Sequence, residues 1–272
     1  MVDQLESEIM PAVYMVEGTT MALLLWPRPP RCFSLFSLSA LARILLPASC
    51  ALCGAACDAA VCGACHAQFF GRDLTRCQRC ANPLAIGETA SHCGRCLASP
   101  PAFDATLVAC DYAAPVDQLV LQLKFGGRLA LAGLFARLLR DAVLRQPDFV
   151  LPALLCPVPL GPARLTERGF NQALEIARPL AHLLGLAVHP ALAARVHETQ
   201  AQSSVTPAER ARNIKHAFIV APEALLLVHG RHIGIVDDVM TSGQTLGELA
   251  ATFKRFGAAR VTNLVFARTP PR

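Results

Sequence analysis

Four Cys-x-x-Cys pairs follow one another between residues 50 and 96: Cys50/Cys53, Cys62/Cys65, Cys77/Cys80 and Cys93/Cys96. Sulfurs two residues apart sit on one turn whose backbone amides point at them, and two such turns complete a tetrahedron around one ion. Eight thiolates therefore match two tetrahedral sites. The segment holds too few large apolar residues for a core of its own, and its short polar, Gly-containing connections suit ribbon loops. Metal ligation replaces that core, since zinc contributes on the order of 10 kcal/mol or more to the folding of such peptides. The spacing predicts two zinc ions, one on the first two knuckles and one on the last two, with a crossed pairing as the alternative. A disulfide framework, an iron–sulfur cluster and a dithiol redox motif are the other chemistries open to these cysteines; repeated knuckles suit a structural metal better. Cys57, His66 and His92 read as loop residues that do not ligate, because the eight regular sulfurs suffice. Cys32, Cys110 and Cys156 stand alone, the last two in apolar strand-like runs as small hydrophobes.

The chain has 272 residues, 53% of them hydrophobic, enough for one full core and a smaller module. No stretch runs about 18 residues free of charge, so no transmembrane span is expected. A formal net charge of +5 suits an anionic ligand and falls short of the dense basic stripe that announces nucleic acid. Residues 1–49 differ from the rest, with an apolar stretch from Phe33 to Leu46 that imitates a signal peptide. Leu46-Pro47-Ala48-Ser49-Cys50 resembles a lipoprotein cleavage site, but Pro47 fits poorly and Cys50 already has a partner in Cys53. This segment reads as a weakly ordered leader or an over-extended start, with Met21 as one candidate initiator. Thiolate ligation points to a reducing compartment, and a cytoplasmic location is expected. Three parts result: 1–49 as leader, 50–100 as double ribbon, and 101–272 as a second domain.

From Pro101 onward apolar strands alternate with amphipathic helices, which predicts an α/β parallel sheet. Strands are expected near 105–109, 151–157, 233–237 and 261–266, and helices near 116–123, 129–144, 171–184 and 246–256. The last helix is the clearest: Leu246, Leu249, Ala250 and Phe253 share a face, Lys254 and Arg255 fill its final turn, and Gly257 follows as C-cap.

The segment Ile233-Gly-Ile-Val-Asp237-Asp238-Val-Met-Thr241-Ser242-Gly243-Gln244-Thr245-Leu246 joins strand to helix. An apolar strand ends in two carboxylates, expected to be open to a ligand, and a short loop of hydroxyls and glycine leads into the helix. Amides at a helix N-terminus hold a phosphate, carboxylates at a strand's carboxyl end accept hydrogen bonds from ribose hydroxyls, and ligands of open α/β sheets bind at that edge. The bland alternative, Asp and Thr as turn and capping residues, needs only one or two of them. The chain has no Gly-x4-Gly-Lys-Ser/Thr loop, which argues against a nucleotide triphosphatase.

Val236-Asp237-Asp238-Val239-Met240-Thr241-Ser242-Gly243 resembles the phosphoribosyl-diphosphate motif of type I phosphoribosyltransferases. Further segments resemble the ComF branch of that group: Pro157-Val158-Pro159 followed by Arg164 and Arg168-Gly169-Phe170-Asn171-Gln172-Ala173; Thr199 and Gln202 with Glu209-Arg210 and Asn213 before Ala217-Phe218; and Leu123-Lys124-Phe125 after Tyr112. The resemblance covers roughly residues 50 to 268, double ribbon included. It implies a type I phosphoribosyltransferase-like parallel sheet with helices on both faces, binding phosphoribosyl diphosphate with Mg²⁺. Asp237 and Asp238 would face the ribose hydroxyls, and Thr241, Ser242, Gly243, Gln244 and Thr245 would cradle the 5-phosphate. Pro157 and Val158 would belong to a pyrophosphate loop spanning 156–159, with Arg168, Asn171 and Gln172 close by. Residues 195–213 would form a mobile hood. The family's competence link adds single-stranded DNA and the competence helicase or uptake machinery as partners. Nothing in the sequence identifies an acceptor, so two readings stand: a transferase joining ribose 5-phosphate to an acceptor, and a non-catalytic module binding DNA or a regulatory ligand.

Overall fold

The apolar runs align as one parallel sheet. A computed structural model of the protein describes residues 49–71, 74–85, 91–196 and 217–270. Two short helices, α1 (Gly63–Phe70) and α2 (Gly94–Ala98), belong to the cysteine-rich segment. Then come β1 (Ala105–Asp111), α3 (Val116–Phe125), α4 (Ala130–Leu144), β2 (Leu154–Pro157), α5 (Pro162–Arg168), α6 (Gln172–Leu184) and β3 (Ala187–Val188). The chain continues through β4 (Ala193–Arg195), β5 (Phe218–Val220), a 3-10 turn, α7 (Leu225–Val228), β6 (His232–Met240), α8 (Gln244–Arg255) and β7 (Arg260–Arg268). The sheet order is β1-β7-β6-β2-β3 with every pairing parallel, while β4 and β5 form a separate antiparallel pair.

Strand alternation divides the core in two. Leu107, Leu155, Val236, Leu264 and Phe266 pack against α3, α4 and α6, where Phe266 stacks on Phe135 with ring centroids 3.6 Å apart. Val108, Leu154, Cys156, Ile233, Ile235, Val261 and Val265 face the other way, towards Leu246, Leu249, Ala250 and Phe253 of α8. Helices thus cover both faces, and the central strands β6 and β7 are near-continuous apolar runs because neither face meets water. The expected strands and helices are present. The sequence reading missed α1, α2, α5, α7, β3 and the β4–β5 pair, all short, and ended three strands too early: β1 runs on to Asp111, β6 to Met240 and β7 to Arg268.

The two cysteine repeats take up opposite sides of this sheet. Cys50, Val61, Cys65 and Phe70 join the cluster on the α4–α6 face, and Cys77, Cys80, Ala81 and Cys96 join the cluster on the α8 face. The second repeat also makes polar contacts: Thr106 donates its amide to the Gln78 carbonyl (3.0 Å), and Arg76 pairs with Asp111 (2.9 Å). Of the expected leader, residues 1–48 lie outside the described residues.

Candidate functional site

Each cysteine repeat folds the same way. In the first, Cys50 donates its amide to Ala55, Gly54 donates to Cys50, and Cys62 precedes α1. In the second, Cys77 donates to Asn82, Ala81 donates to Cys77, and Cys93 precedes α2. The residue after the second sulfur is left-handed in both, Gly54 at φ +74° and Ala81 at φ +56°, as the tight turn requires. These turns bring Cys50, Cys53, Cys62 and Cys65 into one group and Cys77, Cys80, Cys93 and Cys96 into another, the sulfurs of each lying within 4.8 Å of one another. The grouping is sequential, and neither includes Cys57, His66 or His92.

The amides tune these thiols. Burial acts to raise Cys50, but the amides of Cys53, Cys62 and Leu52 outweigh it and bring the thiol down to about 6. Cys77 is lowered to about 7 by the amides of Cys93, Cys80 and Arg79 against the same opposing burial. Burial pushes Cys65 up to about 12, with the neighbouring cysteines adding to it. A group in which one thiol already ionises near neutral pH is suited to a divalent ion, which supplies the positive charge the remaining sulfurs need. Four sulfurs per group fit tetrahedral zinc, and a site so filled leaves no open position for a substrate. Cys110 and Cys156, by contrast, are buried in strands, with thiols raised mainly by burial.

At the carboxyl end of β6, Asp237 and residues 239–246 line a pocket of about 40 Å³. Thr241 and Ser242 are exposed, and Gly243 caps α8 at φ +81° with no side chain of its own, while Ser242 Oγ accepts from the Gln244 amide at 3.3 Å. The first turn of α8 carries no acidic residue, so its positive end is free for an anion. Burial, and then the charge of Asp238, raise the Asp237 carboxyl well above its ordinary range.

Asp238 corrects the expectation of two open carboxylates. It is only 2% exposed and forms an ion pair with Lys124 of α3 at 2.6 Å. Period-two alternation puts it on the face of Val236, beneath α3, and leaves Asp237 as the member of the pair that lines the pocket.

The segment expected as an open pyrophosphate loop is also more closed. Pro157 ends β2, and Val158 is buried with its amide donating to Val236 (2.9 Å) and its carbonyl accepting from Asn171 Nδ2 (3.0 Å). Asn171 is the N-cap of α6, its Oδ1 accepting from the amides of Ala173 (2.9 Å) and Leu174 (3.4 Å). Gln172 is buried and accepts a hydrogen bond from Arg168, whose guanidinium lies 5.3 Å from the centroid of the Phe125 ring. Gly169, at φ +78°, ends α5 and turns the chain into α6. Arg-Gly-Phe-Asn-Gln therefore joins two helices and anchors the end of β2. Lys124, Phe125, Gly127, Glu167, Arg168 and Phe170 line a second pocket of about 200 Å³.

Comparison with known proteins matches residues 41–97 to the double zinc ribbon domain family and residues 170–271 to the phosphoribosyl transferase domain family. DNA utilization protein YhgH of Salmonella typhi is 38% identical over 212 residues, 77% of this chain and 90% of that protein. Competence protein F of Haemophilus influenzae is 30% identical over 205 residues, 74% of this chain and 87% of that protein. The chain belongs to the ComF family. A solved glutamine phosphoribosylpyrophosphate amidotransferase from B. subtilis shares 15% identity at TM-score 0.31, covering 50% of this chain and 25% of that one, a likeness too weak to bear on function.

Within this ComF chain, residues 195–213 fall mostly outside the described residues, Thr199, Gln202, Glu209, Arg210 and Asn213 among them. Arg195 is described in β4, over the Phe218 ring of β5. No helix among the described residues is long and apolar enough to cross a membrane. Sequence reasoning missed Arg268 altogether. Only 3% exposed, it donates to the carbonyls of Cys80 (3.1 Å), Met240 (3.0 Å), Thr241 and Thr269 (2.7 Å). Backbone carbonyls leave no sequence signature; a lone arginine closing an apolar strand was the one available signal.

Proposed function

We propose that this ComF protein binds phosphoribosyl diphosphate together with Mg²⁺ at the carboxyl end of β6. The observation that carries the reading is the N-terminus of α8, which has no acidic residue in its first turn, opens on a pocket through Thr241 to Gly243 and is flanked by Asp237. The 5-phosphate sits on the amides and hydroxyls of 241–245, and Asp237 takes the ribose hydroxyls or the ion. Lys124 holds Asp238, and with it the end of β6, in place. Mg²⁺ supplies charge neutralisation for the pyrophosphate group. In a transfer reaction the bond between the anomeric carbon and the pyrophosphate oxygen breaks as one forms to an acceptor, and this chain's part is positioning. The eight cysteines of the Cys-x-x-Cys pairs, grouped for metal rather than joined as disulfides, support a cytoplasmic setting.

Calorimetry with phosphoribosyl diphosphate and Mg²⁺ tests the ligand. Wild-type protein should bind it, and Asp237→Ala should weaken binding by about 1.5–3 kcal/mol, the worth of a charge-assisted hydrogen bond. Gly243→Val should abolish it by straining a left-handed position. No binding by wild type refutes the reading. A pyrophosphate-release screen across acceptors then tests for transfer.

A second reading, contact with single-stranded DNA, is favoured by Phe125. The residue is 71% exposed at the rim of the 200 Å³ pocket, with the Arg168 guanidinium 5.3 Å from the ring centroid. An exposed ring next to a guanidinium suits a base and its phosphate. Phe125→Ala should weaken binding of a single-stranded oligonucleotide at low salt, and unchanged binding removes this reading.

A further inference from the structure

Arg268 spans two parts of the molecule that are far apart in sequence. Among the described residues it has no carboxylate partner, and its donors go entirely to backbone carbonyls. Nε reaches Cys80, a member of the second cysteine group. Nη1 reaches Met240 and Thr241, where β6 gives way to the phosphate loop. The direction of the Cys80 carbonyl depends on the knuckle turn, which Cys77 and Ala81 close with hydrogen bonds to Asn82 and Cys77 and which holds Ala81 in a left-handed conformation. An ion on Cys77, Cys80, Cys93 and Cys96 fixes that turn; four unligated thiols leave it to local hydrogen bonds. The first group offers a natural control. It meets the sheet through apolar atoms, with the Phe70 ring 6.4 Å from that of Phe266, on the face away from α8.

We propose that Arg268 is a positioning residue that makes metal at the second cysteine group a condition for the shape of the phosphate loop. With the ion in place, the Cys80 carbonyl, the guanidinium and residues 240–245 hold one another. Without it the loop loosens, and loss of metal from the first group has no such effect. The consequence for ligand affinity rests on the sugar-phosphate reading of the loop; the consequence for loop order does not.

Amide hydrogen exchange on the full, zinc-loaded chain tests this, with the amides of 261–265 in β7 reporting any global unfolding. Exchange at 241–247 should quicken about tenfold or more in Cys93→Ser and stay unchanged in Cys62→Ser. Arg268→Lys keeps the charge but offers a single ammonium, which cannot serve Cys80 and the loop at once. It should quicken the same amides while retaining both zinc ions. Equal acceleration in the two cysteine variants, or an unchanged loop in Arg268→Lys, overturns the proposal. If Cys93→Ser also loses protection in β7, Arg268→Lys decides alone. Calorimetry with phosphoribosyl diphosphate and Mg²⁺ on the same proteins separates the two ideas: a loop that responds in a protein that binds no ligand sinks the sugar-phosphate reading and leaves the coupling intact.

Discussion

Removing the Lys124 ammonium exposes how much the acidic pair at the end of β6 depends on it. Asp238 has a side chain only 4% exposed, and Lys124 lies 2.6 Å away with its own side chain 22% exposed. Deleting one partner of a buried pair strands the other charge, at a cost of 3–5 kcal/mol. Partial access of water to Lys124 puts Lys124→Met at about 3 kcal/mol, the lower end of that range. For a domain of this size such a loss lowers Tm by roughly 6–12 °C. Asp238→Asn, which removes the charge and keeps the shape, should cost less, because Lys124 can turn to solvent. The double variant should recover most of the Lys124→Met loss, giving a coupling of about 2 kcal/mol between the two positions. Thermal unfolding followed by circular dichroism at neutral pH measures all four proteins. A Lys124→Met loss below about 1 kcal/mol, or a double variant no more stable than Lys124→Met, would refute the view that this pair is a buried structural tie.

Metal analysis should return about two zinc ions per chain, falling to about one in Cys50→Ser and in Cys93→Ser; a zinc-free protein or an iron–sulfur absorption band removes the ribbon assignment. Asp237 is raised by burial and by the Asp238 charge, so the native state holds a proton the unfolded chain has released, and stability falls as pH rises from the ordinary carboxylate value towards the raised one. Asp237→Asn should flatten that fall and make the unliganded protein more stable at neutral pH, which denaturant titrations at several pH values will read; an unchanged slope counts against the raised carboxyl. Asn171→Ala removes the cap of α6 and its tie to Val158 and should cost about 1–2 kcal/mol in the same titrations, with a loss under about 0.5 kcal/mol showing that the cap is dispensable.

The cysteine groups were legible because ligand spacing is local: two residues between sulfurs already set the turn. Helix α8 was legible for a similar reason, its periodic Leu246, Leu249, Ala250 and Phe253 all being buried and Gly257 left-handed just past its end. Asp238 was misplaced because the strand was taken to end at its neighbour; carrying the alternation from Val236 one step further would have turned it inward. Pro157 and Val158 were expected at a ligand, yet what closes Val158 is Asn171, a cap whose second role depends on how α6 lies against β2. Arg268 was not legible, since its partners are carbonyls brought together only by the finished fold. For Val158 and Arg268 the deciding contact joins residues that only the finished fold brings together, where neither propensity nor spacing carries information, whereas Asp238 was within reach of the alternation.

The contact between Arg268 and Cys80 spans 188 residues, and β7 lies in the sheet between β1 and β6 although it is the last strand in chain order. On a ribosome the two knuckle groups emerge early and can close around metal as small independent loops. The surfaces they dock on do not exist until the central strand has been inserted, which comes after the rest of the sheet has left the exit tunnel. Non-local pairing of this kind slows folding, and partly made sheets expose strand edges that associate wrongly. Metal acquisition can therefore precede domain assembly, the first being local and the second waiting on β7, the last made of the sheet's described strands. A translational pause or truncation ahead of Arg260 should yield metal-loaded ribbons tethered to a sheet still split at its middle.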